Sequence, residues 1–214
     1  MRLIDKYRPA TLMDVVGNQT AINRIYRAVD DNDGFGGLVI MLTGKTGNGK
    51  TLIADIIASE IDGELYRPDC TKAAETAVLI DQIKRDVLQV SLLSNQAVYI
   101  LDEADKLHPD NIAKLKIAID TIDRRRQADL PCNVTVIFTS AKTKDQLTPV
   151  QRAHWDELYT RCVACKVEIL PAELDAYFAR LTGGKVPNMS KRIPACSMRA
   201  AWEYIENKDI GIVN

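Results

Sequence analysis

The sequence predicts a doubly wound α/β domain with a short helical appendage. Three features carry that expectation. Apolar runs without polar alternation recur along the chain, stretches with helical periodicity separate them, and a glycine-rich turn joins the first run to the helix after it. Runs of that kind are strands buried on both faces, and helices of ten or more residues between them make the sheet parallel.

Leu38-Val39-Ile40-Met41-Leu42-Thr43 reads as a buried strand, entered through the glycine cluster at 34–37. A helix is expected over 50–61, a short strand over 64–67 and a helix over 75–90. Ala97-Val98-Tyr99-Ile100-Leu101 is a second buried strand, and helical periodicity returns over 112–122. Val134-Thr135-Val136-Ile137-Phe138 is a third, rich in β-branched residues, and 165–170 a fourth. From Pro171 the pattern changes: Pro171-Ala172-Glu173-Leu174-Asp175 opens a helix, Gly183-Gly184 breaks it, and a last helix runs over 197–207. The expected division is a core over 1–170 and an abbreviated helical lid over 171–214.

Composition bounds the function. With 28 Lys and Arg against 29 Asp and Glu, the formal charge is −1, so any nucleic-acid footprint has to be local. Apolar residues at 46% and charged residues at 27% fit an ordinary globular chain of 214 residues. The longest apolar runs, at 38–42, 52–58 and 97–101, are too short for a membrane span. Arg2, Asp5 and Lys6 interrupt any signal-peptide pattern. No membrane partner is expected, and the chain reads as cytoplasmic, or nuclear in a eukaryote, and not secreted. Five irregularly spaced cysteines agree with a reducing compartment.

Gly44-Lys45-Thr46-Gly47-Asn48-Gly49-Lys50-Thr51 matches G-x-x-x-x-G-K-[ST] completely and continues into Leu52. Glycines let successive backbone N–H groups turn inward around phosphate oxygens, and the helix that follows points its positive end at the same anion. Lys50 can reach the β- and γ-phosphates, and the Thr51 hydroxyl can ligate Mg²⁺. Asp102 and Glu103 follow a buried run, where paired carboxylates are costly unless a cation or water uses them. Asp102 would hold Mg²⁺ and Glu103 would accept a proton from an attacking water. Together the motifs indicate hydrolysis of ATP or GTP. Cys162-Val163-Ala164-Cys165 has no second ligand pair at zinc spacing and reads as core. His108 and His154 are isolated, and Trp155 and Trp202 read as packing residues.

Asp5-Lys6-Tyr7-Arg8-Pro9 and Asp14-Val15-Val16-Gly17-Asn18-Gln19 resemble the N-terminal signature of clamp-loader ATPases of the AAA+ superfamily. These are the small subunits of replication factor C, their phage counterparts and the bacterial gamma-type subunits. Leu101-Asp102-Glu103-Ala104-Asp105 resembles their acidic box, and Tyr159-Thr160-Arg161-Cys162 their "SRC" motif. The resemblance implies a P-loop AAA+ fold, ATP and Mg²⁺ as cofactors, and Tyr7, Arg8 and Gly17 near the adenine. It implies a sensor of the attacking water at the end of the third strand, where Thr139 and Ser140 compete and Ser140 is preferred. Arg161 would serve a neighbouring subunit's ATP, and Arg199 would reach back to the phosphates from the lid.

The implied function is an ATPase subunit that assembles with other clamp-loader subunits in a pentameric ring or spiral. It would load a sliding clamp on primed or double-stranded DNA gripped by its phosphates. Lys72, Lys106, Lys114, Lys116 and Arg124-Arg125-Arg126 are candidates for that grip, although each alone also reads as a solvated helix residue. The family's C-terminal collar domain is expected to be absent here. That departure keeps a rival open, a small AAA+ helicase loader with the same ATPase core. A two-lobed DEAD helicase does not fit in 214 residues.

Overall fold

The computed structural model describes residues 2–61, 63–89, 96–142, 146–193 and 196–213. Among them, five strands form one sheet in the order β2-β3-β4-β1-β5, every neighbouring pair parallel. They are β1 (Val39–Thr43), β2 (Gly63–Tyr66), β3 (Gln96–Leu101), β4 (Val134–Ser140) and β5 (Val163–Lys166). The helices are α1 (Leu3–Lys6), α2 (Gln19–Asp31), α3 (Lys50–Glu60), α4 (Ala73–Leu88), α5 (Pro109–Gln127), α6 (Pro149–Tyr159), α7 (Pro171–Leu181) and α8 (Met198–Asn207). No helix among the described residues is long and apolar enough to cross a membrane.

Strand alternation splits the central strands between two cores. Val39, Met41, Tyr99, Val136 and Phe138 face α4, α5 and α6. Ile40, Leu42, Ile100 and Ile137 face α2 and α3. This two-sided covering explains the unbroken apolar runs in β1, β3 and β4.

Two readings need correction. The strand expected over 165–170 runs over Val163–Lys166. Its partner is β1, paired from Ile40↔Val163 to Thr43↔Lys166, and the last rung is a 2.7 Å bond from Val167 N to the Thr43 carbonyl. Beyond Thr43 the partner turns into the glycine-rich loop, so no ladder remains for 168–170. Helices α2 and α6 lie outside the expected elements, although both carry sequence signals. Ile22, Ile25 and Val29 have helical spacing, and Pro149 stands at the first helical position inside a Thr148–Gln151 capping box. The expected helix end at Val90 lies outside the described residues.

The helices α7 and α8, called the lid below, share a separate core. Leu174 and Phe178 of α7 pack with Ala201, Trp202 and Ile205 of α8. Leu3, Ile4 and Tyr7 join this cluster from the other end of the chain. Tyr7 stacks on Trp202 at 5.4 Å and 11°, and Phe178 meets the same indole edge-on at 5.1 Å. The N-terminal segment therefore packs with the lid.

Candidate active site

The glycine-rich loop leaves β1 at the C-terminal edge of the sheet. Gly44 has φ +154°, and a Cβ there would lie 2.1 Å from the Val167 carbonyl oxygen, so only glycine lets the loop pass β5. Gly49 (φ +94°) caps α3, whose first residue is Lys50. The Lys50 ammonium donates to the carbonyls of Gly44 (2.8 Å) and Lys45 (3.0 Å). Burial pushes its pKa down, against the opposing pull of Asp102 and Asp105.

Asp102 and Glu103 leave the end of β3 beside this loop. The Thr51 hydroxyl approaches the two Asp102 carboxylate oxygens at 3.2 and 3.3 Å. The Thr139 hydroxyl donates to Asp102, and the Glu103 amide donates to the Thr139 oxygen at 3.0 Å. Ser140, pointing the other way from β4, lies 3.2 Å from Asp105 and 2.9 Å from the Lys142 carbonyl. Thr139 thus faces the acidic pair and Ser140 does not. The Glu103 side chain pairs with Lys106.

The loop and acidic pair open into a cleft of ≈ 760 Å³ between the core and the lid. Thr46 to Leu52, Thr139, Arg199, Tyr7 and Arg8 all line it. The Arg199 amide reaches the Gly47 carbonyl at 3.4 Å, and Ser197 caps α8 just before it through a 3.3 Å bond from Ala200 N. Arg8 is held by Asp55 of α3 at 2.6 Å, and Arg67 pairs with the same carboxylate. Val15 and Val16 form part of the wall. Gly17 (φ +67°) sits against lid residue Glu173, where a Cβ would come within 2.7 Å of Oε2. Gly44 and Lys45 contribute their carbonyls to Lys50. Sequence reasoning missed Asp55 and the cleft roles of Tyr177 and Trp202, because only the tertiary fold brings them to this cleft.

Arg161 is not among the cleft residues. It precedes β5, whose first residue pairs with Ile40, so it lies toward the opposite end of the sheet from its own loop, roughly 15 Å along the strand direction. Among the basic candidates, Lys72 pairs with Glu75 (2.9 Å), Lys116 with Glu157 and Arg126 with Asp123 (2.7 Å). Arg125 donates to the Pro131 carbonyl. His108 caps α5, accepting from Asp110 N at 3.3 Å. Cys162 packs on the α4–α6 side and Cys165 on the α2–α3 side, so the C-x-x-C residues serve separate cores. No group of three or more His, Cys, Asp or Glu side chains is gathered for a metal among the described residues.

The donor set nevertheless fits one hard cation held jointly with phosphates. A threonine hydroxyl and a carboxylate meet beside a lysine ammonium and a helix N-terminus, the oxygen-rich arrangement that suits Mg²⁺ sharing its ligands with a nucleotide.

Residues 40–158 match the ATPase family associated with various cellular activities (AAA), and the chain belongs to that family. Membership implies that the chain binds a nucleotide. The chain is 32% identical over 136 residues to the replication factor C small subunit of Haloarcula marismortui, covering 61% of this chain and 41% of that one. It is 28% identical over 185 residues to replication factor C subunit 2 of Arabidopsis thaliana, covering 81% and 55%. The chain thus spans about two fifths of the length of the first relative and just over half of the second. The fold superposes on the Thermotoga maritima RuvB Holliday junction branch migration motor with a TM-score of 0.64 at 19% identity, covering 94% of this chain and 64% of that one.

Proposed function

We propose that this chain is an ATP-hydrolysing, clamp-loader-type subunit that assembles with other subunits and uses ATP and Mg²⁺ to load a sliding clamp on primed DNA. One observation carries the reading: phosphate loop, acidic pair, Thr139 and lid arginine converge on one cleft, while Arg161 stands apart from it. Arg161, toward the other end of the sheet, would serve the cleft of a neighbouring copy or homologue.

In this reading Lys50, the loop amides and Arg199 bind the phosphates, and Tyr7 and Arg8 border the base. Thr51 and Asp102 would hold Mg²⁺, which when bound offsets phosphate charge. Glu103 takes the proton of the attacking water, and Thr139 fixes the Asp102–Glu103 turn that aims it. The similarity to replication factor C small subunits favours a clamp as the loaded partner, with DNA gripped through its phosphates.

The test is a pull-down with tagged Glu103→Gln protein and ATP in extract from the native source. Recovery of a sliding clamp with companion subunits is expected. Recovery of a hexameric helicase instead would overturn the clamp assignment and move the chain to the helicase loaders.

A further inference from the structure

Arg161 is held by two neighbouring helices. Its Nε pairs with the Asp120 carboxylate on α5, and its Nη1 donates to the Glu157 carbonyl on α6 at 2.7 Å. Both side chains of the Arg161–Asp120 pair are partly buried. The helix that supplies the carbonyl is itself tied down, because the Glu157 side chain pairs with Lys116 one turn before Asp120 on α5. A guanidinium held by an ion pair at Nε and a hydrogen bond at Nη1 has lost much of its rotamer freedom.

We infer that Asp120 is a positioning residue that aims Arg161 at the nucleotide of an adjoining subunit. The inference rests on the reading of Arg161 as acting in trans. An unpaired surface arginine would have to be ordered as the transition state forms, whereas a clamped one meets the γ-phosphate already oriented. Asp120 itself touches no nucleotide. Its own cleft is at the other end of the sheet, so its effect belongs to the neighbour's turnover.

That separation of effects gives the test. Lys50→Ala chains have a dead cleft but supply Arg161, and Arg161→Ala chains have an intact cleft but supply no arginine. Verified mixed assemblies of the two, with ATP and Mg²⁺, should hydrolyse at the junctions between them. Asp120→Asn placed on the Lys50→Ala chain should lower kcat roughly tenfold or more at unchanged KM for ATP. Asp120→Glu on that chain should recover part of the loss. The same Asp120→Asn placed on the Arg161→Ala chain should leave turnover as it was.

Equal losses in both placements would mean that Asp120 supports its own fold, and no loss in either would mean that it aims nothing. Either result overturns the inference. Mixed assemblies with Asp120 intact that show no turnover would instead remove the in-trans role of Arg161, and this inference with it. That arm contains no Asp120 substitution, so the two failures are told apart.

Discussion

The Thr139 hydroxyl donates to the Asp102 carboxylate while accepting a 3.0 Å bond from the Glu103 amide. One side chain at the end of β4 therefore fixes both acidic residues at the end of β3. Glu103 sits in the left-handed region at φ +54°, uncommon for a non-glycine residue. Thr139→Ala should lower kcat about a hundredfold while leaving ATP affinity nearly unchanged. Ser140→Ala removes contacts to Asp105 and Lys142 and should cost about 1 kcal/mol of stability with a smaller effect on turnover. Steady-state kinetics and thermal melts on both variants decide the matter. The opposite ranking in kcat would return the sensor role to Ser140.

Lys50→Ala should abolish ATP binding, and Glu103→Gln should bind ATP with near-native affinity and turn it over at least a hundredfold more slowly. Filter binding and single-turnover hydrolysis separate the two. Normal hydrolysis by Glu103→Gln would remove it as the base.

Burial holds the Lys50 pKa below the ordinary lysine value, whereas phosphate charge favours the ammonium form. ATP binding should therefore take up a proton at alkaline pH, and affinity should fall as pH rises through the lowered pKa. Titration calorimetry in buffers of different ionisation enthalpy reads this directly. Proton release on binding would contradict the placement of Lys50 against the phosphates.

Trp202 lines the cleft, whereas Trp155 is buried in the core against Phe138. Nucleotide should change tryptophan fluorescence in the native chain and in Trp155→Phe, but not in Trp202→Phe. Tyr7→Ala, which removes the stacked ring, should weaken ATP binding by about 1 kcal/mol, roughly fivefold.

Burial pushes the thiols of Cys70 and Cys162 up to about 12 and that of Cys165 up to about 11. For Cys70 the charges of Asp102 and Asp69 act in the same direction. Since the thiolate is the reactive form, native protein at pH 8 should resist alkylation at all three until denaturant is added. Rapid labelling of Cys162 and Cys165 in the native state, located by mass spectrometry, would contradict their burial.

The parts of this molecule that were legible in the sequence are those in which local chemistry and tertiary role coincide. The run at 38–43 is apolar because both faces of β1 are covered, and the loop after it is glycine-rich because Gly44 must pass the Val167 carbonyl. The limits of β5 were not legible, since they are set by where its neighbour stops. Nor was the direction of Thr139 against Ser140, because a hydroxyl's orientation depends on strand phase and partner. Asp55 and Asp120 look in sequence like any helical carboxylates, and only the packing of α3 and α5 gives them arginines to hold.

The contact between Leu3 and Glu206 joins residues 203 positions apart in the chain. During synthesis, a nascent polypeptide that has emerged only as far as β5 already carries the phosphate loop and the acidic pair, yet lacks the wall that Trp202 and Arg199 provide. Tyr7 then has no ring to stack on, and the first helix has no surface to bury against. The cleft is thus completed only once α8 has been made, and a product that stops at β5 would carry a half-built one.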